Sequence, residues 1–187
     1  MDDSKNSLHA FQAAVQLAET LLKTHAVPMI VAGEPVQGAV MFQTDHGLER
    51  VSDFHDRLAT AGSFLFLLKP TQEHGPDTLG LAPTTDKFEV IQMVGTNGNS
   101  LHTQAEVLTW LRQLDQTQPF VLVGAGIDFV QGAFVDPVRD PAGMAHKVYS
   151  FCPDFWDQGL GLFIKGDPET EIAKYFESER SFFFWWD

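Results

Sequence analysis

The stretch Phe120-Val121-Leu122-Val123-Gly124-Ala125-Gly126-Ile127-Asp128-Phe129-Val130-Gln131-Gly132-Ala133-Phe134-Val135 decides how the chain folds. Apolar, β-branched and aromatic residues fill both of its ends, and Gly124-Ala125-Gly126 interrupts them. That pattern predicts two strands, Phe120 to Val123 and Ile127 to Val135, joined as a hairpin. Upstream, Thr103-Gln104-Ala105-Glu106 fits a capping box, in which the hydroxyl and the carboxylate each bond the other residue's backbone N–H. The helix that follows carries Val107, Trp110, Leu111 and Leu114 on one face and ends at Pro119. Earlier still, Phe88 to Val94 reads as a strand ending at Gly95-Thr96-Asn97-Gly98, whose Asn-Gly pair marks a tight turn with positive φ.

Downstream of the hairpin, Asp140-Pro141 and Asp167-Pro168 each place an N-cap acid before a proline at the first helical position. The first helix buries Met144, Ala145 and Val148, the second Ile172 and Phe176. Phe182 to Trp186 then closes the chain as a strand, on which Trp185 and Trp186 face opposite ways. From Phe88 onward the order is strand, helix, strand, strand, helix, helix, strand. This is an α+β fold with a ferredoxin-like β-α-β-β-α-β core and an extra helix before the last strand. That last strand is apolar on both sides and suits a bare edge badly; the buried run Phe64 to Leu68 is expected beside it or over it.

The N-terminal part extends the core with an α/β segment. Leu8, Phe11, Val15 and Leu22 recur at helical spacing and predict a helix from about Ser7, its N-cap, to Thr24. Val27 to Val31 and Gln37 to Gln43 read as strands, the first an edge strand or strand start because of Pro28. A helix through Val51, Phe54 and Leu58 leads to Gly62, and Phe64 to Leu68 reads as a strand buried on both faces. Between residues 69 and 86, Pro70, Gly75, Pro76, Gly80 and Pro83 predict a loop or linker. The expected organisation is therefore a helix/strand segment over 1–68 packed on the core, a loop over 69–86 and an α+β domain over 87–187, one continuous globule in all.

The 187 residues, 44% hydrophobic and 20% charged, have the makeup of a folded protein. A formal net charge of -13 repels phosphate backbones and anionic lipid, so nucleic acid and membrane are disfavoured as partners. A basic protein, a cation or solubility itself is favoured. The opening Met1-Asp2-Asp3-Ser4-Lys5 lacks the pattern of a secretion signal, and Phe64 to Leu68 is too short to span a bilayer. A single cysteine makes no internal disulfide. A cytoplasmic protein is expected, of open oligomeric state.

Chemistry-bearing side chains gather in Phe151-Cys152-Pro153-Asp154-Phe155-Trp156-Asp157-Gln158-Gly159 and in Phe184-Trp185-Trp186-Asp187. Cys152 is the only thiol, with His146 six residues earlier on the same helix. That offset turns the two side chains apart, and a helix C-terminus disfavours a thiolate, so Cys152 reads as a packing thiol. Asp154 and Asp157, with Asp128 and Asp187, are candidates for acid–base work or a hard cation, and capping is the competing role for each. Trp156, Trp185 and Trp186 suit an interaction site or the rim of a core equally well. The seven histidines show no zinc spacing, and Gly124-Ala125-Gly126 lacks the third glycine of a nucleotide loop. No metal or cofactor is expected.

Taken together, Gly95-Thr96-Asn97-Gly98, Val123-Gly124-Ala125-Gly126 with Asp128, Phe151-Cys152-Pro153-Asp154 with Asp157-Gln158-Gly159, and Trp185-Trp186-Asp187 resemble the bacterial family catalogued as domain of unknown function 4253, over roughly residues 86–187. Phe129 fits the aromatic that follows the family's hairpin aspartate. Phe155-Trp156 stands where the family has an aliphatic pair, and Leu160 to Asp167 is longer and more apolar than its pattern. The resemblance implies a small bacterial cytosolic domain with these motifs on a single surface, and it brings no catalytic residues. The expected function is a non-enzymatic acidic binding module, an inhibitor or immunity-type protein for a basic partner such as a toxin domain. Its expected binding residues are Asn97, Asp128, Asp154, Trp156, Asp157, Gln158, Trp186 and Asp187. The alternatives are a small hydrolase-like enzyme with a carboxylate/amide pocket and a purely structural domain.

Overall fold

The computed structural model describes residues 3–71 and 75–187. The chain divides into two compact units, Met1–Gly95 with Val123–Ile127, and Thr96–Leu122 with Asp128–Asp187. Both combine helices with strands, and the fold class is α+β.

In the first unit the chain runs α1 (Asp3–Leu22), β1 (Val27–Val31), β2 (Glu34–Thr44), α2 (Gly47–Thr60), β3 (Phe64–Lys69), β4 (Asp77–Ala82) and α3 (Lys87–Val94). The hydrogen-bonded order is β1-β2-β4-β3, with β5 (Phe120–Ala125) beyond β3. Three of these pairings are antiparallel, and β3 meets β5 in parallel at Leu67 and Gly124, so the sheet is mixed. Ala18, Leu22, Phe42, Val51, Leu58, Leu65, Leu67, Leu79 and Leu81 form its core. The two-residue turn Ala32-Gly33, with φ of 50° and 85°, joins β1 to β2 between the paired Val31 and Glu34. Both turn residues take positive φ, the twist that suits a tight hairpin. β1 ends the strand order, as Pro28 led us to expect.

Three expectations need correction here. The first helix begins at Asp3, so Ser7 lies inside it; Asp3-Ser4-Lys5-Asn6 holds no glycine or proline that would stop it earlier. The segment expected as a loop over 69–86 contains β4, hydrogen-bonded between β2 and β3; residues 72–74 lie outside the described residues. Its breakers flank the strand except Gly80, and Gly80 is there for space. A methyl at that position would stand 2.7 Å from Cε1 of Phe66, whose ring is fully buried across the β3–β4 pair. Asp77 opens β4 and ties it down, accepting from Gly47 N and Thr71 N, each at 2.7 Å. It thereby serves the start of α2, whose N-cap His46 makes no side-chain bond there.

The third correction is Phe88 to Val94, expected as a strand and found as α3. Local chemistry outweighs the β-branched composition. Asp86 accepts from Phe88 N at 2.8 Å as N-cap, Gly95 closes the helix at φ 78°, and Phe88, Ile91 and Val94 are buried at helical spacing with Val90. The expected ferredoxin-like order thus loses its first strand.

The second unit contains α4 (Gln104–Thr117), β6 (Phe129–Phe134), α5 (Pro141–Phe151), α6 (Pro168–Ser178), β7 (Ser181–Trp185) and the first half of β5. β6 lies between β5 and β7 and pairs antiparallel with β7. The three caps expected in this unit are present: Thr103 and Glu106 complete the capping box of α4, Asp140 accepts from Gly143 N, and Asp167 accepts from Thr170 N. Between α5 and α6 the chain makes a π-helical turn, Phe155–Gly159, and a 3-10 turn, Leu160–Leu162. Alternation along β7 sends Phe182 and Phe184 inward, stacked at 4.5 Å, while Phe183 lies on the other face against Phe129 at 5.3 Å. Gly132 faces Phe182 on the neighbouring strand; a methyl there would sit 2.6 Å from the ring and 2.8 Å from Val121 O.

Replacing Gly80 by alanine should destabilise the protein by about 1–3 kcal/mol, because the buried Phe66 ring has nowhere to yield. Urea unfolding of the variant checks this, and an unchanged midpoint would show that the ring moves aside.

Candidate functional site

The expected site residues all fall in the second unit, where Trp186 and Asp128 meet at one of two shared backbone carbonyls. The first is Phe151 O, at the C-terminal end of α5, where carbonyls have no helical partner. It accepts from Trp186 Nε1 at 3.3 Å and from His102 Nε2 at 2.9 Å. Because a carbonyl only accepts, His102 carries a proton on Nε2 in this arrangement. The His102 ring also stacks on Phe151 at 4.1 Å, and Trp110 stacks on the opposite face at 4.3 Å, so Phe151 is sandwiched. The second carbonyl is Asp128 O, which accepts from Trp186 N at 3.0 Å. Trp186 is fully buried and its neighbour Trp185 half-buried, as alternation requires.

His102 is itself positioned by the turn Thr96-Asn97-Gly98. Gly98 and His102 form an isolated antiparallel bridge, with Gly98 N donating to His102 O at 2.8 Å. A side chain at Gly98 would collide with His102, its Cβ 2.6 Å from that of the histidine. Asn97 Oδ1 accepts from Asn99 N at 2.8 Å, which shapes the turn. The expected positive φ falls at Gly95 and Asn99, with values of 78° and 53°, outside the Asn97-Gly98 pair on either side.

Around the π-helical turn, Asp154, Gln158 and Asp187 form a closed polar ring. Asp154 Oδ2 accepts from Asp187 N at 3.0 Å and Oδ1 from Gln158 Nε2 at 3.3 Å, and the same amide reaches Asp187 Oδ2 at 3.3 Å. Trp156 is buried on the inner side of this turn. Asp157 is exposed on it, its backbone N donating to Pro153 O. The structure therefore brings together Asp154, Gln158 and Asp187, joins Trp186 to Asp128 through the backbone, and leaves Asn97 in the turn that serves His102.

Cys152 is buried, and its Sγ donates to Trp185 O at 3.1 Å. Burial, with the Asp154 charge adding to it, pushes the thiol up to about 12 against the lowering effect of backbone N–H groups. Such a thiol is no nucleophile at neutral pH. His146 is on the surface beside Glu169 at 3.0 Å, in a salt bridge with that carboxylate when protonated. The capping hydrogen bonds of Thr103 hold the exposed Glu106 below the usual carboxylate range, and those of Thr170 do the same for Asp167. Among the described residues no group of three His, Cys, Asp or Glu is placed to hold a metal ion, and no helix is long and apolar enough to cross a membrane.

Two features escaped sequence reasoning. His102 carries no motif of its own, and its only signal is a place four residues after Gly98 and just ahead of the capping box. Leu162, Phe163 and Ile164 are exposed, Phe163 by 87%. Their signal is an apolar run without helical or strand period between Gly161 and the Gly166-Asp167-Pro168 helix start.

What this geometry defines is an α+β protein whose separated motifs interlock through a helix-end carbonyl, a strand-end carbonyl and a side-chain ring. A family model described as Domain of unknown function (DUF4253) matches residues 78–187, which begins inside β4 and takes in the whole second unit. The chain belongs to that family. No curated protein and no solved structure matches it.

Two measurements check the assignment of Trp186 and Cys152 to the fold. Trp186→Phe should cost about 1–3 kcal/mol in chemical denaturation, from a lost donor to Phe151 O and a lost ring. Since the Cys152 thiol titrates at about 12 when folded and near 9 when unfolded, its contribution is complete below about pH 9 and is lost as pH rises toward 12. Cys152→Ser, which keeps a donor and does not titrate, should flatten the decline of stability across that window.

Proposed function

We propose that this chain is an acidic protein-binding module, of inhibitor or immunity type, for a basic partner such as a toxin domain in a bacterial cytosol. The observation that carries the reading is the use made of Asp154: both of its oxygens are engaged, one by the Asp187 backbone N–H and one by the Gln158 amide. A carboxylate so committed is poorly placed to trade protons with a substrate, because proton transfer would break the bonds that hold Asp187. With the thiol also turned inward, Asp154 and Cys152, two of the side chains that suggested catalysis, have work in the fold, which favours binding over a hydrolase. The net charge of -13 supplies the complementary half, steering a basic protein toward the chain and rejecting acidic ones.

The reading is checked by isolating the tagged full-length chain from its source cells and titrating each recovered protein in purified form. The expected result is a 1:1 complex with a protein of net positive charge, weakened at least about tenfold between roughly 50 and 300 mM NaCl. Recovery of no such protein, or turnover of an ester, amide or phosphate substrate that Asp154→Asn abolishes, overturns it.

A further inference from the structure

We propose that Leu162-Phe163-Ile164 is the contact surface for that basic partner, with Phe163 seated in an apolar pocket on it and the acids on either side meeting its cationic rim. The inference rests on the binding-module reading and names the surface through which it acts. Phe163 is 87% exposed, Leu162 67% and Ile164 38%. Isolated apolar residues on a surface are ordinary, but three in succession at one tip are a liability unless something covers them.

The tip is built for presentation. Phe163 N and Ile164 N both donate to Leu160 O at 3.0 Å, which fixes the turn that carries these side chains outward. Behind it Gly161 packs so closely on Trp156 that a methyl there would stand 2.9 Å from the indole nitrogen. Trp156 in turn is buried within the π-helical turn. The tip's backbone is thus held before any partner arrives, which lowers the entropy lost on docking.

Charge selects the occupant. Within residues 154–171 the acids are Asp154, Asp157, Asp167, Glu169 and Glu171, against Lys165 as the one base. Asp157, Asp167 and Glu169 are exposed. A second copy of this chain would bring the same acidic flanks and a net charge of -13 against its own, and an anionic bilayer would be repelled likewise. A basic protein with an apolar recess is the surface that gains on both counts: burial of an aromatic anchor at the centre and ion pairs at the rim.

The test uses the full-length chain with a photo-reactive phenylalanine analogue at position 163 or, as control, at the exposed Leu101, followed by titration of the purified adduct partner against wild type, Phe163→Ser and Leu162→Ser. The expected result is a basic protein cross-linked from position 163 and not from 101, bound at least about tenfold more weakly by Phe163→Ser, a loss in the range of a truncated interface anchor. Circular dichroism and the thermal midpoint should be unchanged, because the side chain is exposed. If a basic protein binds but Phe163→Ser binds it as well as wild type, the surface is wrong and the binding-module reading stands. If no basic protein binds at all, both fail. Self-association in sedimentation velocity, or binding to phosphatidylcholine/phosphatidylglycerol vesicles, that Phe163→Ser removes would assign the tip to a second copy or to lipid and overturn the proposal.

Discussion

The second unit depends on how one helix ends. A helix leaves its last carbonyls without partners, and a buried carbonyl without a donor costs about 1–3 kcal/mol. Phe151 O receives two ring N–H groups, from His102 and Trp186, which approach from opposite ends of the unit's sequence. That shared acceptor explains why segments so far apart act together. The Thr96-Asn97-Gly98 turn exists to set His102, the Phe151-Cys152 corner supplies the carbonyl, Asp128 O fixes the Trp186 backbone, and Asp154 with Gln158 secures Asp187 after it. A family whose motifs are scattered in sequence can thus share one internal junction.

Much of the fold was legible because its signals are local. Asp140-Pro141, Asp167-Pro168 and Thr103 with Glu106 specify helix starts through groups within three residues of each other, and each acts as read. β1 and β3 were legible from β-branched or wholly apolar runs. The failures share a cause. Gly80 looks like a breaker because its purpose, room for Phe66, lies on another strand. Phe88 to Val94 is rich in strand formers, yet an acid before it and a glycine after it were enough to make a helix. Tertiary space and end effects decided these segments, and composition cannot show either.

The same division runs through the candidate site. That the Asp154, Gln158 and Asp187 motifs share a place was implied only by the family resemblance, whereas that Trp185 and Trp186 face apart followed from strand period. Their work as a latch between a turn and a strand end depends on which oxygen meets which donor. Sequence also gives no hint that Phe151 is sandwiched between His102 and Trp110, since the three rings come from three segments, His102 and Phe151 being 49 residues apart.

Cys152 and Tyr175 have a joint role that neither shows alone. Along β7 the residues bonded to β6 and its flanks include Arg180 with Phe134 and Trp186 with Asp128, so Ser181 and Trp185 turn their carbonyls to the far side, where the strand order ends. Tyr175 donates its hydroxyl to Ser181 O at 3.0 Å, and Cys152 donates its thiol to Trp185 O at 3.1 Å. An open, aromatic strand margin is a template for fibril growth, and here side chains from α6 and from the end of α5 occupy its two terminal acceptors. The burial that keeps the Cys152 thiol protonated therefore does a second job, since only a protonated thiol can donate to Trp185 O and keep that end of the strand margin closed.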